Sequence, residues 1–435
     1  MVDSQQSKTT FFKNPDHGEC LKYCLLAKLA CLIVQVASIN ILPTHNADAF
    51  VPPNFLQNQT TINGIVNTTL VGFSRWDSLH FLHIAKRGYS HESQIAFFPL
   101  YPAVVRALKY ALFPWAESSH DGLFIIAGVI ANLFLFSASS ILLYELTHIM
   151  FRNKSMALES VKYFCFNPAS IFMTACYSES LFQFLTLSGL LAIEFGRLSV
   201  ASTFLALSSL TRANGIISLG FVAYWHVTTI SILSARVLRS ARLVEQFGIF
   251  LTHALMILIP FIMFQSYSYY ILCIDPNLPD RLQFCSTALS IPYTFIQRKY
   301  WSIGFLKYYQ LKQIPNFILA LPMMLICSWI VMKYFQANGK QFFKLILNFQ
   351  SRRRGPFLWN NGHCLPFIVH LAFLTFVSIF YMHVQVITRF VLSSTPVVYW
   401  AIASAPNSKK YYFKVYSALY FVLGTILHSA FYPWT

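Results

Sequence analysis

The feature that most constrains this chain is a succession of long apolar runs. About twenty consecutive apolar residues cross a bilayer as a helix, and the first run, from Leu21 to Leu42, has that length. Only 11% of the 435 residues are charged, against about a quarter in soluble domains. Ten further apolar runs lie at about residues 122–150, 161–177, 180–196, 199–211, 214–233, 248–272, 315–332, 364–384, 390–404 and 412–432.

These runs predict an all-α polytopic membrane protein with about nine to eleven transmembrane helices. We expect the shorter runs to be re-entrant or to pair as broken helices. A polar tail at residues 1–20 precedes a single transmembrane domain at residues 21–435. Lys22 and Lys28 flank the first predicted helix, and Pro43 closes it.

The basic residues lie mainly in short loops between the apolar runs. This distribution indicates positive-inside topology rather than nucleic-acid binding, although the net charge is +17. With the tail in the cytosol, the cytosolic segments hold 20 Lys and Arg residues and the other side 12. The run Arg352–Arg354 marks the large cytosolic loop. The loops at residues 43–121 and 273–312 are then luminal, and the first carries two N-glycosylation patterns, at Asn58 and Asn67.

Metal and nucleotide chemistry find little support in the sequence. The nine cysteines form no CxxC pair, and the thirteen histidines show no metal-ligand spacing. There is no glycine-rich phosphate loop and no GxSxG. Cys273 and Cys285 share a polar loop and can form a disulfide if that loop is luminal. We therefore expect no metal site and no bound cofactor.

The densest polar chemistry lies at residues 73–102, FSRWDSLHFLHIAKRGYSHESQIAFFPLYP. Apolar side chains alternate with charged ones there, which predicts a helix lying in the membrane interface with an acid facing a water-filled cavity. Asp77 is the candidate acid, and a helix N-cap is the alternative role for it. The tryptophans Trp76 and Trp301 have the alternative role of anchors at the membrane surface.

Other polar residues interrupt apolar runs on the same predicted luminal side. A charged group within lipid costs several kcal/mol unless it has a partner or water. Their common side predicts one polar cavity, although snorkelling arginines or a structural ion pair are open alternatives. These residues are Tyr177, Glu179, Arg212, Asn214, Gln385 and Arg389.

Five stretches together resemble the PIG-V family of GPI-anchor mannosyltransferases. Besides residues 73–102, they are FNPASIFMTACYSESLF at 166–182, LTRANG at 210–215, residues 297–322 and HVQVITR at 383–389. The resemblance runs from about residue 21 to residue 432. It implies a GT-C-type multispan bundle in the endoplasmic reticulum membrane, with interfacial helices and the catalytic acid in the first luminal loop. It also implies α-1,6 transfer of the second mannose from dolichyl-phosphate mannose to a mannosyl-glucosaminyl-acyl-phosphatidylinositol.

The resemblance suggests roles for individual residues. Asp77 is expected to be the base of an inverting displacement, with Arg389 and Arg212 holding the phosphate of the donor. Ser78 and Leu79 follow Asp77 where many GT-C enzymes have an Asp-x-Asp-like pair, which puts a divalent-metal requirement in doubt. Further substrate contacts are expected from Arg75, Trp76, His80, Glu92, Tyr177, Glu179, Asn214, Trp301 and Gln385, with Tyr300, Tyr308 and Tyr309 on the lipid-acceptor side.

Two other classes of function fit the membrane character. A lipid-linked substrate transporter or flippase also carries intramembrane charges and interrupted helices, but no internal repeat relates the two halves of the chain. A non-catalytic subunit of a GPI-synthesis complex is the other alternative, and the presence of Asp77 speaks against it. Fungal members of the family work with a small accessory membrane subunit, so the resemblance implies such a partner here.

Overall fold

The computed structural model describes residues 14–52, 55–56, 60–116, 120–234, 240–274, 285, 291–339 and 355–434. Every regular element within these ranges is helical, and the predicted all-α class is confirmed. The α-helices, numbered along the chain, are α1 (Pro15–Ile41), α2 (Thr61–Thr69), α3 (Asp77–Arg87), α4 (Leu100–Leu112), α5 (Asp121–Phe151), α6 (Lys154–Cys165), α7 (Glu179–Glu194), α8 (Leu198–Thr211), α9 (Leu219–Ser234), α10 (Ser240–Tyr269), α11 (Pro292–Trp301), α12 (Ile314–Asn338), α13 (Leu365–Phe380), α14 (Ile387–Ser394), α15 (Val397–Ala403) and α16 (Asn407–Ser429).

Several helices are long and apolar enough to cross a membrane, so the chain is a multi-pass membrane protein. Five described segments meet this criterion, and the pair Val384–Ser394 and Val397–Ala403 meets it together across an 82° bend. By length and composition alone, these five or six segments are fewer than the nine to eleven predicted spans. The five single segments are Pro15–Ile41, Asp121–Phe151, Val244–Ile274, Leu311–Asn338 and Gly362–Phe380.

The remaining apolar runs form short or broken helices. α6 ends at Cys165 because Asn167 and Pro168 follow: the Asn167 side chain binds its own backbone neighbours, and proline cannot extend a helix. Residues 166–178 then continue as turns before α7 begins. In the same way, Pro396 lies between α14 and α15 at the 82° bend.

Two side chains hold the turns of residues 166–178 in place. Lys28 is buried inside the bundle, and its ammonium group donates to the Met173 carbonyl and to Thr174 Oγ1, both at 2.9 Å. Asn132 of α5 donates to the carbonyl groups of Ala175 and Tyr177, at 2.5 and 3.0 Å. Lys28 therefore does not flank the first helix as predicted. α1 begins at Pro15, six residues before the predicted start, and this extension moves Lys28 into its interior.

The first long loop is helical, as predicted, and its central helix packs against the bundle. All residues of α3 from Ser78 to Ala85 are buried. Phe81 and Leu82 pack with Phe124 and Ile125 of α5 in one apolar cluster. The apolar side of α3 thus faces protein, which leaves only its two ends to present charges.

Some predicted features fall at or beyond the edges of the described chain. Cys273 and Cys285 are joined in a disulfide, with their Cα atoms 5.7 Å apart. Asn67 is exposed on α2. Asn58, Arg352–Arg354 and most of the predicted polar tail lie outside the described residues.

Candidate active site

Asp77 is the first residue of α3, and the backbone before it is unusual. Trp76, the N-cap residue, has φ 56° and ψ −127°, a region that residues with a side chain rarely adopt. The Asp77 backbone N–H donates to the Tyr177 hydroxyl at 3.2 Å. Its carboxylate does not cap the helix; it receives a hydrogen bond from Arg389 Nη2 at 2.9 Å. The N-cap role is therefore replaced by an ion pair that points into the bundle.

Arg389 connects Asp77 to a second carboxylate. Its Nη1 atom lies 3.5 Å from Glu179 Oε1, and the same oxygen lies 2.5 Å from Arg212 Nη1. Glu179 is completely buried, whereas Asp77 retains 28% of its side-chain exposure. The convergence predicted for these three interrupted runs is thus present as one chain of charges, in which Asp77 is the partly exposed carboxylate.

Aromatic rings line this chain of charges. The Arg389 guanidinium lies 5.1 Å from the Phe172 ring centroid and 5.4 Å from that of Tyr177. The Tyr177 hydroxyl, which holds the backbone of Asp77, also lies 3.4 Å from His428 Nε2. Such rings stabilise a guanidinium without neutralising its charge, so the side of Arg389 away from its acids is covered by protein.

Arg75 and Trp76 stand beside the site with unused donors. Both pack against Phe431: the Arg75 guanidinium lies 5.2 Å from its ring centroid, and the Trp76 ring meets it edge-on at 5.1 Å. Arg75 Nε and Trp76 Nε1 are sheltered and make no hydrogen bond to any described residue. Burial lowers the pKa of Arg75. Two guanidinium groups, those of Arg389 and Arg212, therefore contact the two carboxylates, and Arg75 lies two residues before Asp77 without an ion pair in the described chain.

Similarity to known proteins identifies the family. Residues 17–435 match the family model described as mannosyltransferase (PIG-V). GPI mannosyltransferase 2 of Drosophila melanogaster is 33% identical, over 95% of this chain and 99% of its own length. GPI alpha-1,6-mannosyltransferase 2 of Mus musculus is 30% identical, over 97% and 99%. The chain belongs to the PIG-V mannosyltransferase family.

A solved structure gives a weaker likeness. The Archaeoglobus fulgidus oligosaccharyltransferase is 11% identical, with a TM-score of 0.39, over 94% of this chain and 53% of that one. The mannosyltransferase activity of the PIG-V chain rests on the sequence family, and the helical membrane architecture rests on its own helices.

Three predicted site residues of this PIG-V chain lie around α11 rather than in the chain of charges. Glu92 contacts the side chains of Lys299 and Tyr300. Trp301 meets the Phe97 ring edge-on at 5.9 Å. Its carbonyl accepts a hydrogen bond from His383 Nε2 at 2.5 Å. These contacts tie α11 to the segments that precede α4 and α14.

Two more predicted residues bind side chains of the protein. Gln385 Oε1 accepts a hydrogen bond from the Tyr308 hydroxyl at 2.6 Å, and Asn316 donates to that hydroxyl. Asn214 donates to Ser394 Oγ at 3.0 Å. Both residues border α14, the helix that carries Arg389. Tyr309 donates its hydroxyl to the Ile379 carbonyl.

His80 is enclosed by aromatic rings. Its imidazole is stacked between Phe50, at 4.4 Å, and Phe97, at 4.3 Å. Desolvation lowers the pKa of His80 to about 4 and, with further contributions from neighbouring charges, the pKa of His83 also to about 4. Both imidazoles are therefore neutral at pH 7.

Among the described residues, no three His, Cys, Asp or Glu side chains are placed to hold a metal ion together.

Phe172, His428 and Phe431 belong to the site but were not predicted from the sequence. Phe172 looked like part of an apolar run. His428 and Phe431 lie near the end of the last predicted run, 412–432, and the signal available there is a histidine among apolar residues.

Proposed function

We propose that this chain transfers the second mannose of the GPI anchor in α-1,6 linkage, from dolichyl-phosphate mannose to a mannosyl-glucosaminyl-acyl-phosphatidylinositol. Family membership and the names of its relatives support the reaction class and linkage. The observation that carries the residue assignment is the Asp77–Arg389 contact at 2.9 Å. It places a partly exposed carboxylate beside cationic groups in one site.

The reaction is a single displacement that inverts the anomeric carbon. Asp77 takes the proton of the acceptor 6-hydroxyl as its oxygen attacks C1 of the mannose. The bond between C1 and the phosphate oxygen breaks, and its electron pair leaves with dolichyl phosphate. Arg389 fixes the direction of the Asp77 carboxylate, because the two groups are bonded before substrate enters. General-base help of this kind contributes about 10²–10⁴-fold to the rate.

The leaving phosphate gains negative charge in this step. Arg389 and Arg212 each share Glu179, which fixes their guanidinium groups but leaves most of their five N–H donors free of that carboxylate. Arg75 adds a guanidinium whose Nε has no hydrogen-bond partner among the described residues. We assign these three residues to the phosphate, since preorganised guanidinium groups stabilise developing charge without moving. In this proposal the reaction proceeds without a divalent cation.

We place the site on the luminal side of the endoplasmic reticulum membrane. The Lys and Arg distribution in the sequence and the disulfide between Cys273 and Cys285 support this side. A small accessory membrane subunit is proposed as a partner on the family resemblance alone. Membership of a mannosyltransferase family favours this reaction over transport or flipping of a lipid-linked substrate.

The test is mannose transfer to the one-mannose GPI precursor in microsomes that contain no other copy of the activity. Asp77→Asn is compared with wild type at matched protein level, with and without a chelator. Asp48→Asn is the control, since Asp48 is an exposed acid of the same loop. We expect the precursor to accumulate only with Asp77→Asn and the chelator to have no effect. Normal transfer by Asp77→Asn removes Asp77 as the base, and inhibition by the chelator removes the metal-free mechanism.

A further inference from the structure

A second cluster of cations lies at the end of the bundle opposite the active site. Asn316, near the start of α12, contacts Tyr308 beside the site, whereas Lys333 lies seventeen residues further on, about 26 Å along the helix axis. His428, near the end of α16, contacts Tyr177, and Lys409 in its first turn lies about 28 Å away. This separation is close to the thickness of a bilayer core, about 30 Å.

Lys333 and Lys409 converge on two indole rings. The ammonium group of Lys333 lies 4.1 Å from the ring centroid of Trp359 and 5.4 Å from that of Trp329. The ammonium group of Lys409 lies 3.9 Å from the ring centroid of Trp329. The two rings meet at 5.4 Å and an angle of 64°. We call these four residues the two-lysine site.

Among the described residues, the acid paired next to the two-lysine site is Glu159, and its partner is Lys410 rather than Lys333 or Lys409. Within the described chain, no carboxylate forms an ion pair with either lysine. The sequence of residues 281–435 contains fifteen Lys and Arg and no Asp or Glu. The segment at residues 340–354, which follows α12, therefore brings no carboxylate either. Two like charges that share one ring repel each other, and an anion between them relieves that repulsion.

Trp359 and the start of α16 add further donors at this place. Trp359 Nε1 is sheltered and makes no hydrogen bond to a described residue. α16 begins with Pro406 as its N-cap, with no side-chain cap and no acidic residue in its first turn. A helix start of this kind attracts anions through its free N–H groups and its dipole. Lys409 adds a cation where the dipole disfavours one.

We propose that the two-lysine site binds the phosphate headgroup of an anionic phospholipid from the leaflet at that end of the bundle. Phosphate is the anion that matches two ammonium groups and an N–H donor. A lipid source is favoured over free phosphate because α12 offers a surface for acyl chains on the same face. Leu325 and Met332, one turn on either side of Trp329, are 60% and 57% exposed. Tryptophan also favours the level of lipid headgroups.

The experiment is native mass spectrometry of the full chain in detergent. Dioctanoyl phosphatidylserine is titrated against dioctanoyl phosphatidylcholine; phosphatidylinositol is avoided because it resembles the proposed acceptor. Wild type is expected to retain one phosphatidylserine in preference to phosphatidylcholine. The double variant Lys333→Gln/Lys409→Gln is expected to bind it about thirtyfold more weakly, from about 1 kcal/mol for each lysine at a membrane surface.

Two variants serve as comparisons. Lys22→Gln/Lys154→Gln removes the same charge from lysines that are 60% and 65% exposed, and it is expected to bind like wild type. Trp359→Phe keeps an aromatic ring but deletes the sheltered N–H, with an expected loss of about fivefold. If the double-lysine variant does not fold, the comparison of Trp359→Phe with wild type tests the proposal.

Three results overturn the proposal. The first is equal binding of the two lipids by wild type. The second is an unchanged phosphatidylserine preference in both Lys333→Gln/Lys409→Gln and Trp359→Phe, which would leave the cluster as a plain interfacial anchor. The third is release of the lipid by an excess of inorganic phosphate, which would assign the site to a free anion.

Discussion

Arg389 donates a hydrogen bond to Asp77 over 2.9 Å, although the two residues are 312 positions apart in the chain. The contact joins α14, the first arm of the bent membrane segment, to the start of α3 in the first long loop. Its geometry gives Arg389 two tasks, because the same guanidinium reaches Asp77 and Glu179 through different nitrogen atoms. A positive charge without two separate N–H groups cannot make both contacts.

Arg389→Lys is therefore expected to behave almost like Arg389→Gln. A lysine ammonium is a point charge that cannot form the fork between two carboxylates. We expect kcat for mannose transfer to fall by about 10²–10³-fold in both variants, as when one preorganised donor at a reacting oxygen is lost, with a smaller change in KM. The control is Arg298→Gln, an exposed arginine of α11. Near-normal kcat in Arg389→Lys would show that charge suffices.

Glu179 is expected to matter for stability more than for the chemical step. Its carboxylate is completely buried between Arg212 and Arg389. Removal of one partner from a buried ion pair costs about 3–5 kcal/mol, because the other charge is left unpaired. Glu179→Gln should lower the thermal midpoint of the purified chain.

A second variant separates this effect from general disruption. Glu179→Gln/Arg212→Leu removes one of the two unpaired cations, so part of the lost stability should return. The single variants Glu179→Gln and Arg212→Leu are measured beside it. If the loss of stability in the double variant equals the sum of the two single losses, the Glu179–Arg212 pair is not the source of the loss.

The helical membrane class and the meeting of distant polar residues were both predictable from the sequence. Long apolar runs can adopt few folds in lipid, because their backbone polar groups must form hydrogen bonds within the protein. Residues such as Glu179 and Arg212 interrupt those runs on one predicted side. The pairing within the site was not predictable, because it depends on which face of each broken helix turns inward. The backbone of Trp76 is a clear case: nothing in a tryptophan predicts positive φ.

The prediction that Lys28 flanks the first helix was wrong for a related physical reason. A lysine near the start of an apolar run is usually an interfacial flank, and the position of that start decides its depth. Because α1 begins at Pro15, Lys28 enters the bundle and binds the turns of residues 166–178. Pro168 signals the break in that run, but no pattern in the sequence connects the break to α1.

Lys28→Met is expected to loosen these turns. The Met173 carbonyl would lose the ammonium donor, at a cost of about 1–3 kcal/mol for a buried polar group left without it. The turns lead directly to Tyr177, whose hydroxyl holds the backbone of Asp77. We expect a lower thermal midpoint and faster proteolysis at residues 166–178. Lys22→Met on the same helix, where the side chain is 60% exposed, should change neither; a similar loss in that control would contradict the local role of Lys28.

Low pH should destabilise the first long loop through its histidines. Desolvation lowers the pKa of His80 to about 4 in the folded chain, while an unfolded histidine titrates near 6.5. Between these values the unfolded chain binds more protons, so the stability that His80 contributes is complete above about pH 6.5 and is lost as pH falls towards 4.

His80→Phe tests this directly, since a phenyl ring can keep the stacking between Phe50 and Phe97 but cannot take up a proton. The thermal midpoint of wild type should drop between pH 6.5 and pH 4, and the drop should be smaller in His80→Phe. His120→Phe, at the N-cap of α5, is the comparison for loss of one histidine. An identical pH dependence in wild type and His80→Phe would mean that the enclosed imidazole is not what the falling pH disrupts.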